Sequence, residues 1–122
     1  MLVDRVQAID ESDPPDVRRP RVADLAALSV HDVDVVRARD ACVRFHEALL
    51  TAEDAQHRAR HDLERATGGD EHATKIDPDA ARRISQAIRE SEAAIRSSRQ
   101  LFPGCEGEVR GLRDRFGLAR PR

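Results

Sequence analysis

The stretch from Ser29 to Gly69 holds the longest run in the chain free of interior glycine or proline, and its apolar residues repeat at helical intervals. Val35, Ala38, Cys42, Phe45, Leu49, Ala52, Gln56, Ala59, Leu63 and Ala66 follow one another in alternating steps of three and four, the a/d seam of a heptad. Only Gln56 in that row is polar. Ser29 with Asp32 three residues later reads as an acidic variant of a capping box, and Gly68-Gly69 supplies the left-handed stop. A long helix over 29–69 is therefore expected; the capping-like Thr51-Ala52-Glu53-Asp54 offers an alternative start that would split the run near Leu50.

Asp77-Pro78 is a second start signal, an acidic cap followed by proline at the first helical position. From it a second seam runs through Ala81, Ile84, Ile88, Ser91, Ile95, Ser98 and Phe102, and Pro103-Gly104 is expected to end it. Two heptad helices joined by a short polar loop form an antiparallel hairpin. The expected fold class is all-α, a long-helix hairpin with short flanking helices, oligomeric. Residues 29–103 form the hairpin, 1–28 an arm and short helix, and 104–122 a basic amphipathic segment.

The first helix would span ~55 Å and the second ~37 Å at 1.5 Å per residue, so the start of the first overhangs its partner. That half also carries the wider apolar stripe, adding Val30, Val33, Val36, Val43 and Leu50 outside the seam. These five are the candidate oligomer and packing residues, to be covered by residues 1–28, by the C-terminal segment or by another subunit. Pro14, Pro15 and Pro20 allow only a turn of helix around Val3, Val6 and Ile9 before an extended arm, mobile or docked on a neighbour, and then a short helix over 21–28.

The core must be aliphatic, because the chain has three Phe and neither Trp nor Tyr. With 21 basic and 23 acidic residues no global field draws a polyanion or a membrane, so any nucleic-acid contact must be local. The basic residues are almost all Arg, Lys75 being the one lysine. The apolar runs are far shorter than the ~20 residues that span a bilayer, and no signal pattern opens the chain, which places the protein in the cytoplasm. There Cys42 and Cys105 are expected as free thiols, although the hairpin would bring them near enough for a disulfide.

Glu53, His57, His61 and Glu64 place four metal-type ligands on one helical face, but the register turns both histidines to water, without supporting partners. No metal and no cofactor is expected. His31, His46 and His72 are unclustered and read as surface or partner contacts. No Ser or Cys sits in a glycine elbow and no phosphate loop is present, so the chain reads as non-enzymatic. The C-terminal segment carries Arg110, Arg113, Arg115, Arg120 and Arg122 among Val109, Leu112, Phe116 and Leu118, either a phosphate-contacting tail or a solvated amphipathic helix.

Leu28-Ser29-Val30-His31-Asp32, running on through Ala41-Cys42-Val43-Arg44-Phe45, resembles the Leu-Ser/Thr-x-x-Asp entry to the first helix of phage terminase small subunits. The segment from Val109 to Arg122 is similar to that family's closing pattern, with Gly117-Leu118 matching directly. The resemblance implies a ring-forming helical DNA-packaging adaptor in the host cytoplasm that binds double-stranded DNA and regulates a large terminase motor subunit, which would carry the chemistry. The arm being acidic, DNA contact would fall to the five C-terminal arginines, with Arg18, Arg19 and Arg21. The alternative is a helical-hairpin interaction module of antitoxin or secretion-partner type with no DNA role.

Overall fold

The computed structural model describes residues 2–70 and 75–117, and among them the regular structure is entirely helical. Four helices follow in order: α1 (Leu2–Gln7), α2 (Pro15–Ala26), α3 (Val33–Thr67) and α4 (Pro78–Phe116). The two long helices pack against each other over most of their length, and α1 and α2 fold back onto the half where α3 begins and α4 ends.

Three helix signals act as the sequence indicates. Gly68 closes α3 in the left-handed region at φ 61°, with its amide on the Glu64 carbonyl. The Asp77 carboxylate accepts the Ala80 amide at 3.2 Å, and Pro78 opens α4. At the other end of α3 the cap is Asp32 and not Ser29: its carboxylate accepts from the amides of Asp34 and Val35, at 2.9 and 3.4 Å.

Pro103 does not end α4, contrary to the expectation from Pro103-Gly104. The helix runs on to Phe116 and is 39 residues long against 35 for α3. Pro103 is exposed, so the Arg99 carbonyl that loses its partner faces water, while Cys105, Val109 and Leu112 prolong the buried row beyond it. Residues 104–116 are thus the last turns of α4, and they supply the cover that the overhang requires. Pro20 likewise lies inside α2 on its exposed side, so the arm is helical from Pro15 and docks on its own chain.

The seam also differs from the predicted row. Ala52 and Ala55 are buried and Ala59, Asp62 and Ala66 half-buried, whereas Gln56 and Leu63 face outward. On α4 the buried row is Ala80, Ala87, Ser91, Ala94 and Ser98, with Ile88 and Phe102 more than two-fifths exposed. Small side chains win because they let the helix backbones approach closely, which gains dispersion contact along the whole length. Each helix is rotated by about one residue at alternate seam positions, and the larger Leu63, Ile88 and Phe102 move to the flank.

Cys42 and Cys105 are joined in a disulfide with their Cα atoms 4.5 Å apart, and not free. Around it lies the aliphatic core: Leu2, Val3 and Ile9, then Val22 and Leu25 of α2, with Phe45, Leu50, Val109 and Leu112 of the long pair. Leu50 is 7% exposed and Val43 packs on this cluster, so both serve packing within the chain. Val30 and Val36 are half-buried, Val30 lining an apolar cavity of about 250 Å³ with Leu28, Val35, Leu112 and Phe116. Val33, at 69% exposed, is the one of the five that points to solvent.

Candidate interaction surface

An antiparallel helix pair has two flanks, and the rotated seam gives this pair two different ones. With Ala52, Ala59 and Ala66 at a and Ala55 and Asp62 at d on α3, and Ser91 and Ser98 at a and Ala87 and Ala94 at d on α4, residues just before each a position lie together on one side. That side is polar: the Arg58 guanidinium donates to the Glu90 carboxylate across the helices at 2.6 Å, and Asp62, Arg65, Arg83 and Gln86 continue it.

The opposite flank takes the residue after each d position, and it is apolar. It holds Leu49, Gln56 and Leu63 of α3 beside Ala81, Ile88, Ile95 and Phe102 of α4. Leu63, Ile88 and Phe102 are 44, 45 and 43% exposed, and Ile95 is half-buried. The row is covered at one end only. There Phe102 packs on Phe45 at 5.3 Å between ring centroids, and Val6 of α1 and Ile9 just after it line a cavity of about 190 Å³ with Phe45, Phe102, Cys105 and Val109. From Phe102 toward the hairpin turn the row is bare among the described residues.

Sequence reasoning placed Ile88, Ile95 and Phe102 in the hairpin seam and so missed this surface. The signal was present as a second 3–4 row on α4, in Ile88, Glu92, Ile95, Arg99 and Phe102, beside the Ala/Ser row.

The arginines proposed for DNA contact do not form one cluster. Arg115 donates to both oxygens of Asp32, at 2.8 and 2.9 Å, and to Asp34 at 2.8 Å, and its guanidinium lies over the Phe116 ring. This pairing holds the Asp32 carboxyl below its usual range, helped by the two amides that cap α3. Arg110 pairs with Glu106 of the preceding turn at 2.5 Å. Arg113 is half-buried, its Nε enclosed without a hydrogen-bond partner. Arg120 and Arg122 lie outside the described residues, as does His72.

The N-terminal arginines are committed too. Arg18 is 1% exposed, donating its Nε to the Asp13 carbonyl at 2.9 Å and its terminal nitrogen to Glu53 of α3. Arg19 holds Asp54 at 2.8 and 3.0 Å, and Arg21 holds Asp13 at 3.0 Å and the Ala8 carbonyl at 2.9 Å. The Arg18 and Arg19 pairs pin α2 to α3 and the Arg21 contacts tie α2 to the segment before it, roles that surface-biased expectations for arginine do not suggest.

Glu53 is thereby separated in function from His57 and His61, whose rings stack at 6.5 Å on the exposed face. Among the described residues no group of His, Cys, Asp and Glu is arranged to hold a metal ion. His46 is buried beneath the α1–α2 segment, with Nδ1 unpartnered. Burial and the nearby Arg18 charge push its pKa down to about 4, which makes it a neutral core residue at pH 7.

No helix among the described residues is long and apolar enough to cross a membrane. No protein-family model, curated protein or solved structure matches the chain.

Proposed function

We propose that this protein is a non-enzymatic helical-hairpin interaction module whose working surface is the apolar flank of α3 and α4. One observation carries the reading: three large apolar side chains, Leu63, Ile88 and Phe102, stand more than two-fifths exposed on one side of a hairpin whose interior is sealed by Ala and Ser. A chain short of large apolar residues leaves them outside only at a cost in burial, on the order of 1 kcal/mol each, which a partner recovers. A photo-crosslinking residue at position 85, beside the row, tests this in the native cells, with the same residue at position 58 on the polar flank as control. Crosslinks to a polypeptide from position 85 and not from 58 are expected; none from 85 overturns the reading.

The DNA-packaging adaptor implied by the terminase resemblance has weaker support. Arg115 and Arg110 already hold carboxylates of this chain, so a phosphate contact there must displace Asp32, Asp34 or Glu106. Duplex affinity that falls steeply with salt, and that drops further for Arg113→Ala with Arg115→Ala, would restore that reading and with it a large terminase partner.

The Cys42–Cys105 pairing supports residence in an oxidising compartment over the expected cytoplasm. Alkylation of thiols on rapid acid quenching of cells decides it: two blocked cysteines per chain would place the protein in a reducing compartment.

A further inference from the structure

The row Ile88, Glu92, Ile95, Arg99 and Phe102 on α4 steps by four, three, four and three, so α4 carries a second heptad seam beside the one used by α3. We propose that its occupant is a second copy of this chain, docked with its own α4 antiparallel to the first across a twofold axis at Ile95; this rests on the reading of the apolar flank as the working surface.

The argument is self-complementarity. In an antiparallel pair of identical helices, residue i meets the residue reflected through the axis. Ile88 and Phe102 have their midpoint at residue 95, and Glu92 and Arg99 at 95.5, so one axis serves both pairs. Ile95 then packs on its own copy, Ile88 of each chain fills the space against Phe102 of the other, and Glu92 faces Arg99 twice. Glu92 and Arg99 are both exposed and, among the described residues, neither side chain takes part in an ion pair or hydrogen bond, in contrast to Glu90, which holds Arg58. A parallel arrangement would set Glu92 on Glu92 and Arg99 on Arg99, which is repulsive. The axis also leaves Val6 and Ile9 in place at the Phe102 end, so the new contact continues the existing one beside α1 instead of displacing it.

The test is light scattering and sedimentation velocity on the disulfide-intact chain across a hundredfold concentration range. The expected species is a dimer of twice the 13.6 kDa chain mass, dissociating on the order of micromolar concentrations as small interfaces do. Glu92→Arg or Arg99→Glu alone weakens it tenfold or more, and the two together restore it; Ile95→Asp leaves monomer. All three positions are exposed or on the flank, and far-UV circular dichroism verifies that helix content is kept. A monomer throughout the range, a ring of higher order, or a dimer indifferent to the charge swaps overturns the proposal. A crosslink from position 85 to a different protein overturns it as well, while leaving the interaction-module reading intact.

Discussion

Arg18 shows what one side chain does here that its residue type conceals. Its guanidinium is taken almost wholly out of water, and the cost is met by the Asp13 carbonyl and the Glu53 carboxylate, which keeps a third of its surface in solvent. Arg18→Ala leaves Glu53 facing a void and is expected to cost about 3 kcal/mol in urea unfolding, the low end for a broken buried pair; Arg18→Met with Glu53→Leu costs much less. His46 gives a second measurable consequence. Its folded pKa of about 4 lies below the ordinary 6.5, so the unfolded chain takes up a proton that the folded chain refuses. Stability is whole above pH 6.5 and falls as pH drops toward 4, by up to ~3 kcal/mol. His46→Leu removes that slope, and the difference between the two proteins' unfolding free energies against pH isolates it. Asp32, whose pKa is lowered by Arg115, acts in a separate window: its contribution is present above the usual carboxylate pKa of 3.8 and is lost only as pH falls below that. Neither Arg18 nor His46 was legible as a buried group, because burial of a polar side chain depends on what the α1–α2 segment brings to it and not on local pattern.

At the scale of elements, caps were readable where a side chain or a φ angle settles the matter locally. Asp77-Pro78 and Gly68 are of that kind. Pro103 was not, because its local penalty is overruled by distant partners: Cys105, Val109 and Leu112 bury against α3 and the core around Leu2 and Val3. Proline still costs a helix interior about 3 kcal/mol, and Pro103→Ala is expected to raise stability by roughly 1–3 kcal/mol, read as a higher urea midpoint with unchanged slope. Gly107→Ala adds roughly 0.5–1 kcal/mol, since a methyl group there meets nothing within 4 Å. The seam was misread by one residue for a related reason. Period alone does not distinguish an Ile row from an adjacent Ala/Ser row on the same helix; packing selects the narrower one and leaves the wider for the flank.

The whole molecule has two zones of unequal strength. The core cluster with its disulfide belongs to the half where α1 and α2 cover the long pair, while residues 55–67 and 78–90 meet mainly through small alanines and the exposed Arg58–Glu90 pair. Alanine contacts bury small areas, so the turn end should open at lower free energy. Amide hydrogen exchange is expected to be fast in 55–67 and 78–90 and slow in 38–50 and 94–112; uniform protection along the hairpin would contradict the division. The all-helical hairpin was visible in heptad periodicity, but this gradient was not, since it arises from contacts made by the segment that looked like an arm.

The disulfide has one more consequence, a mechanical one. Cys42 and Cys105 are 63 positions apart, and the bond closes α3 from residue 42, the turn and α4 to residue 105 into a covalent ring. Tension applied between residues 2 and 117 passes through the sulfurs and bypasses everything inside that ring. Pulled in a single-molecule trap, the oxidised protein would pay out only the flanking chain, and the hidden length of the hairpin would be released in a separate step once a reductant cut the bond.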